Sequence, residues 1–351
     1  MWTDEIGPPP LAVLGTGAVS EVYLLPASDA CAMCALKVMR KALLIALDAS
    51  SRVHQEKAAL ERVASEDAPP QIAKLIGFAQ DVDCIYIRMQ AVLALSGRSC
   101  TLRQLMQAQP QGRLPPGIAA YQTRCMLTAL THLHSLCVAH RDLKPENIVL
   151  ATNGCPVIID FGAARVLIDD VPARSICGTP AYMAPELLGR LGHGCEVDCW
   201  SLGVMLFEML TGRLPFEADS AADLHTQILR AMRPTVSQIV EVGSVDGLVD
   251  ALLQRDRGER ATAHAAAQQP WLQSCAHGDS LTLSSWFADA VRAALDGDAL
   301  PTRAESDGGG EDDGGDEEER YERLWAAAER EDLIARAEAR RESWKAEFEG
   351  W

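Results

Sequence analysis

The order of apolar and polar residues divides the chain into two regimes. From residue 11 to 88 the apolar runs are short and strand-like: Leu11-Ala12-Val13-Leu14 and Val22-Tyr23-Leu24-Leu25 flank a glycine turn, and Ala32, Cys34, Leu36 and Val38 alternate with other residues. Charged and Ala/Leu residues at helical spacing interrupt them over 52–64, and strand character resumes at 75–80 and 84–88. This pattern predicts one antiparallel sheet carrying one helix. After Pro116 the apolar period lengthens to that of a helix, with Ile118, Tyr121, Cys125, Leu130 and Leu133 on one face. Residues 198–211 are apolar nearly all round, which places their helix in a core rather than on a surface. Further helices are predicted at 221–232, 245–253, 261–269 and 283–295, with the packed domain ending near Leu272. The class so defined is α+β, a small strand-rich part followed by a larger helical one.

Composition bounds the functions open to this chain. At 351 residues it is about twice the usual domain size, so one large two-lobed domain or two ordinary ones are expected. A formal net charge of −17 argues against nucleic acid or an anionic membrane as a partner. Nine of the acids lie in residues 305–319, within a Gly/Asp/Glu-rich stretch at 302–319 that reads as a disordered linker. Residues 1–10 read as an N-terminal extension and 273–301 as a tail of the helical part. Residues 320–351 read as a charged helix ending in Phe348-Glu349-Gly350-Trp351. The start, Met1-Trp2-Thr3-Asp4-Glu5, shows no secretory pattern, and the apolar run at 199–210 is short and contains Glu208. Eleven scattered cysteines are expected as reduced thiols, in an intracellular and chiefly cytoplasmic protein, with the nucleus as the alternative. Cys31-Ala32-Met33-Cys34 has CxxC spacing, but no second pair completes a metal site.

The candidate chemistry begins with Leu14-Gly15-Thr16-Gly17-Ala18-Val19-Ser20-Glu21-Val22, a glycine turn whose backbone amides would cover phosphates. Lys37 follows inside the apolar strand Ala35-Leu36-Lys37-Val38, and Glu56 on the helical segment is the acid that would orient it. Ala139-His140-Arg141-Asp142-Leu143-Lys144-Pro145-Glu146-Asn147-Ile148 and then Ile158-Ile159-Asp160-Phe161-Gly162 decide the matter. Taken together, these segments resemble the eukaryotic protein kinase family from about residue 11 to 272, with Ala184-Pro185-Glu186 closing the activation segment and Arg260 placed to pair with Glu186.

The resemblance implies a bilobal fold: an antiparallel-sheet N-lobe with one main helix at about 11–89, a hinge at 90–92 and a mainly helical C-lobe at about 93–272. It also implies ATP and Mg²⁺ as cofactors and protein substrates as partners, phosphorylated directly. Lys37 would hold ATP phosphates, kept in place by Glu56. Asn147 and Asp160 would supply magnesium's oxygen ligands, Asp142 would steer the substrate hydroxyl, and Lys144 would neutralise the transferred phosphate. Adenine would lie among Val22, Ala35, Val149 and the gatekeeper Met89. Leu60, Leu75, His140 and Phe161 would stack on Asp198.

Lys144 and Gly178-Thr179-Pro180 resemble serine/threonine kinases, and the sequence around them is similar to the AGC group of cyclic-nucleotide-dependent and phosphoinositide-dependent kinases. Ser20 and the segments after Lys37 and Asp160 look most like the phosphoinositide-dependent kinase, whereas Pro180 and Glu208 look like other members and Val19 replaces the usual aromatic loop tip. Ser175 falls at the group's activation-loop phosphosite, with Arg141, Arg165 and Arg52 as its cationic pocket. Glu146 and Glu208 match positions that recognise a substrate arginine in basophilic relatives. Phe348 and Trp351 match a C-terminal hydrophobic motif that docks in the N-lobe groove, in cis or in trans. The alternative is a pseudokinase scaffold that binds partners through its tail.

Overall fold

A computed structural model of the chain describes residues 8–17, 19–27, 32–94, 97–167, 173, 175, 177–189, 191–230, 235–238, 245–274, 280–297 and 348. It forms two compact units. The first comprises Met1–His54, Ile76–Gln90 and Asp298–Trp351, and the second Gln55–Leu75 and Ala91–Gly297. The linker at 302–319, Trp351, Cys31 and Ala18 lie outside the described residues.

The first unit is built on β1 (Ala12–Thr16), β2 (Ser20–Leu25), β3 (Cys34–Arg40), β4 (Leu75–Gln80) and β5 (Cys84–Gln90), in the order β1-β2-β3-β5-β4. β3 runs antiparallel to both β2 and β5, which sets Lys37 opposite Val22 on one side and Ile87 on the other, and Ala35 opposite Met89. Alternation predicts a half-exposed strand here. Instead both faces of β3 are covered: Leu36 and Met39 are 1% exposed and Lys37 only 5%. Leu25, Cys34, Leu36 and Tyr86 form a core cluster on the sheet, with Val38 and Cys84 beside it.

A short helix, α1 (Lys41–Ala46), follows β3 directly and is not predicted by the pattern. A six-residue run with several apolar neighbours satisfies either period, and the burial of Leu43 and Leu44 makes it a helix. Lys41 is nearly buried, with Nζ donating to Gln80 Oε1 at 2.7 Å and to the Asp81 carbonyl at 2.7 Å. Phe348 joins this group. It is 2% exposed, its ring 5.4 Å from Lys41 Nζ and stacked at 6.2 Å on His54 of α2 (Ser50–Val63).

In the second unit the polypeptide forms α3 (Leu102–Gln107), α4 (Pro116–Ser135), β6 (Val138–Ala139), β7 (Ile148–Leu150), β8 (Pro156–Ile158) and β9 (Arg165–Val166). Two-stranded ribbons pair β6 with β9 and β7 with β8. Then follow α5 (Pro185–Leu188), α6 (Glu196–Thr211), α7 (Ala221–Arg230), α8 (Asp246–Leu252), α9 (Ala263–Ala267), α10 (Pro270–Ser274) and α11 (Ser280–Gly297). The helices expected between 116 and 295 are present within a few residues of their forecast bounds, and the architecture is the α+β, bilobal kinase-like fold anticipated, while the helix expected over 320–351 lies outside the described residues apart from Phe348. α3, not predicted, is started by a capping box. Thr101 accepts from the Gln104 amide, while the Gln104 side chain accepts from the Thr101 amide at 2.8 Å.

α6 is the axis of this unit, buried from Val197 through Thr211. Beside it the Arg260 guanidinium, 0% exposed, makes a bidentate pair with Glu186 and lies 5.2 Å from the Trp200 ring. α11 lies against α3, its Phe287 ring against Gly154 and edge-on to Tyr121. Gly203 lets α8 approach α6: a Cβ there would stand 2.8 Å from Leu252 Cβ and 2.9 Å from a Leu253 methyl. Gly203→Ala should therefore destabilise the fold by about 1–3 kcal/mol, because backbone must shift to admit the methyl. Urea denaturation of the two proteins measures this, and equal midpoints would refute such close packing.

Candidate active site

The site grows from a buried acid. Asp198, in the first turn of α6, is 0% exposed and accepts from the His140 amide at 2.9 Å, the Arg141 amide at 2.8 Å and His134 Nε2 at 3.0 Å. Burial pushes its carboxyl towards the neutral form, but the hydrogen bonds from His134 and the Arg141 amide and the nearby positive charge outweigh it, so the acid is held below its ordinary range. The loop after β6 is thereby fixed. Arg141 sits at φ +66°, a left-handed conformation that costs a non-glycine residue free energy, and the Asp198 bonds offset that strain. His140 packs edge-on to Phe161 with ring centroids 5.1 Å apart and contacts the Ile159 carbonyl through Nε2 at 3.1 Å.

Asp142, one residue further on, collects four contacts. Its Oδ1 accepts from the Thr179 amide at 2.9 Å and the Thr179 hydroxyl at 3.0 Å, and its Oδ2 stands 3.0 Å from Lys144 Nζ and 3.1 Å from Asn147 Nδ2. Lys144 Nζ also donates to Thr179 Oγ1 at 2.7 Å. The short turn Pro145–Asn147 delivers Asn147, whose Nδ2 bonds the Asp142 carbonyl at 2.8 Å, so that its amide oxygen is the atom that could face a cation. The Asn147 carbonyl accepts from the Ile159 amide at 2.9 Å, so Asn147 and the residue before Asp160 are tied together. Asp160 adopts φ +56°, and its Oδ1 accepts from the Gly162 amide at 3.2 Å. An amide and a carboxylate oxygen make a hard donor set that fits a divalent cation such as magnesium.

The remaining expected residues fall as follows. Leu14, Gly15 and Thr16 lie on β1, Gly17 and Val19 in the turn, and Ser20 and Val22 on β2, the turn being closed by the Gly17 amide donating to the Ser20 carbonyl at 2.7 Å. Ala35 and Lys37 are on β3 and Met89 is on β5 in the same sheet. Glu56 on α2 is 3% exposed and Val149 on β7 is 4% exposed, both in the second unit.

Arg141 turns its side chain to the activation segment. Nε donates to the Ala163 carbonyl at 2.8 Å, and one terminal nitrogen donates to Ser175 Oγ at 2.9 Å and lies 3.4 Å from His193 Nε2. Arg165 is on β9 and Arg52 on the part of α2 that belongs to the first unit. Two groups escaped the sequence reading as site members. Thr179 was legible only as part of Gly178-Thr179-Pro180, and its hydroxyl proves to bridge Asp142 and Lys144. Arg103 carries no motif at all. Its guanidinium bonds Glu146 at 2.8 Å, Glu208 at 2.6 Å and the Tyr182 hydroxyl at 2.6 Å. Burial opposes its charge, but the two acids more than compensate and raise its pKa.

A small antiparallel-sheet unit, a helical unit and a loop of this construction are the parts of a protein kinase domain. The chain matches the protein kinase domain family over residues 10–272 and belongs to it. Its relatives are serine/threonine kinases of AGC type, and such a domain implies use of ATP with a divalent metal. It is 34% identical over 250 residues to the cAMP-dependent protein kinase catalytic subunit PRKX of Mus musculus, covering 71% of this chain and 66% of the relative. To human ribosomal protein S6 kinase alpha-2 it is 36% identical over 258 residues, covering 72% and 33%. To human cGMP-dependent protein kinase 2 it is 31% identical over 222 residues, covering 63% and 28%. The chain thus spans between 28% and 66% of the length of these relatives.

His193, 1% exposed, generates a pH prediction. Burial first, then the charges of Arg141 and Arg165, push its pKa from 6.5 down to about 4, against the opposing pull of Glu196 and Glu186. The native state therefore holds a neutral ring where the unfolded chain would bind a proton. This contribution is complete above pH 6.5 and is lost as pH falls towards about 4. His193→Gln should flatten the stability profile in that window by on the order of 2 kcal/mol. Chemical denaturation across the range checks it, and parallel profiles for the two proteins would show that the ring stays protonatable.

Proposed function

We propose that this chain transfers the γ-phosphoryl group of ATP, with magnesium, to serine or threonine hydroxyls of other proteins. The observation that carries the reading is the Asp142 carboxylate held between Thr179, Lys144 and Asn147. Phosphoryl transfer depends on positioning and charge neutralisation more than on covalent chemistry, and a carboxylate pinned on both oxygens is a positioned one.

Asp142 orients the acceptor hydroxyl and takes up its proton, and Lys144, already beside Asp142, supplies positive charge to the transferred group. Asn147 and Asp160 hold magnesium through their side-chain oxygens. Lys37, with Glu56 as its orienting acid, holds phosphate oxygens, and residues 15–20 cover them through backbone amides. Bound ATP with magnesium supplies the transferable group and the leaving-group stabilisation.

Ser175, whose hydroxyl already receives a hydrogen bond from Arg141, is assigned as a phosphorylation site, since a phosphate there would gain charge-assisted bonds to Arg141 and Arg165. The terminal segment is assigned as a docking motif on the burial of Phe348 against Lys41 and His54. Among AGC kinases, Ser20 and the segments around Lys37 and Asp160 favour likeness to the phosphoinositide-dependent kinase. The reduced thiols inferred from the sequence fit the cytoplasm as its location.

The test is radiolabelled phosphate transfer to protein and peptide acceptors by the full chain with ATP and magnesium, Ser175 being mapped by mass spectrometry. Asp142→Asn should lower the rate about a thousandfold while leaving the melting temperature close to that of wild type. Transfer that survives this substitution would overturn the assignment, and absence of transfer by wild type phosphorylated on Ser175 would favour the scaffold alternative.

A further inference from the structure

The cluster around Arg103 flanks the catalytic loop. Glu146 belongs to the same turn, Pro145–Asn147, that delivers Asn147 to Asp142, and Tyr182 ends the turn Pro180–Tyr182 that follows Thr179. An acceptor peptide whose hydroxyl reaches Asp142 must carry its neighbouring residues past these turns. Two acids in that place form a subsite for a cationic side chain, unless a cation already fills it.

Arg103 fills it. One nitrogen of its fork binds Glu146, a second binds Glu208 and the third binds the Tyr182 hydroxyl, so every face of the guanidinium is engaged. Tyr182 in turn donates to the other Glu208 oxygen at 2.7 Å, which leaves both oxygens of this 8% exposed carboxylate satisfied from within the chain. Arg103 itself is 22% exposed and Glu146 46% exposed, so the acid nearest solvent is the one Arg103 neutralises from beneath. A guanidinium with two carboxylates and a hydroxyl reproduces the arrangement a bound arginine would make. A peptide arginine would have to displace it and strand a second guanidinium, so the same contacts that would reward a basic peptide are spent within the protein.

We propose that Arg103 is a built-in occupant of the acidic subsite beside the acceptor, and that it makes this kinase indifferent to a basic residue at that position of its substrates. The inference rests on the kinase reading above, and it names a specificity-determining residue for that reaction. Removing the arginine should uncover the acid pair and create the basic preference that wild type lacks.

Two readouts test it, both on the full chain. In a positional-scanning peptide library with ATP and magnesium, wild type should show no more than about twofold selection for arginine on the N-terminal flank of the acceptor. Arg103→Gln should select it about tenfold, the worth of a recovered charge-assisted pair. Fluorescence anisotropy with a labelled arginine peptide and its glutamine twin, which needs no turnover, should give equal affinities for wild type and about a tenfold preference for the arginine peptide with Arg103→Gln. If no peptide is phosphorylated, the kinase reading fails and anisotropy alone decides the occupancy of the subsite.

Should Arg103→Gln fail to fold, judged by its melting curve, Glu146→Gln replaces it. An occupied subsite predicts that this variant binds both peptides as wild type does. Wild type that prefers the arginine peptide about tenfold, with that preference lost in Glu146→Gln, would overturn the proposal.

Discussion

The second unit depends on one buried carboxylate. Asp198 has no solvent contact and ties the start of α6 to the backbone of His140 and Arg141 and to the side chain of His134 on α4. An ionised acid without partners in such a place would cost several kcal/mol, so the three donors are conditions of its burial. They also hold Arg141 in its left-handed conformation, and this sharp turn sends Asp142 and Arg141 to different tasks. Asp142 meets Thr179, Lys144 and Asn147, while the Arg141 side chain reaches Ser175. Asp160 also adopts a left-handed conformation, and it too carries proposed chemistry.

Around that anchor, three arginines, Arg260 and Arg141 buried and Arg103 partly exposed, divide the polar groups among themselves. Arg260 is closed by Glu186 and covered by Trp200, Arg103 by Glu146, Glu208 and Tyr182, and Arg141 by a carbonyl and a hydroxyl. The first two have carboxylates and act as fixed structure. Arg141 bonds the Ala163 carbonyl and the hydroxyl of Ser175, the residue proposed above to be phosphorylated. The overall charge of −17 conceals this local arrangement, because much of the acidic excess lies in residues 305–319.

Much of this was legible in the amino-acid sequence where chemistry and chain neighbourhood coincide. Asp142, Lys144 and Asn147 stand within six residues, so the turn that carries them also aligns them, and the apolar wrap of residues 198–211 marked a core helix. The antiparallel sheet followed from short alternating runs, although covering both faces of β3 made Lys37 far more buried than alternation suggests. Less was legible where the partners are distant. Nothing local to Arg103 announces that it will meet Glu208, 105 residues later, nor does His193 announce Arg141. α3 had a signal in Thr101 and Gln104, the spacing of a capping box, whereas α1 had only a short apolar run that either period accepts. The doubled contact of the Thr179 hydroxyl is a tertiary fact, since two segments 37 residues apart must first be brought together.

Hydrogen exchange at the amides of His140 and Arg141 tests the central role of Asp198 most directly, comparing wild type with Asp198→Asn. If the carboxylate pins the loop, both amides exchange slowly in wild type and at least about a hundredfold faster in the variant, while β3 and β5 amides keep their protection. Unchanged exchange at His140 and Arg141 would show that the loop holds its shape without the buried acid, and the account built on it would fall.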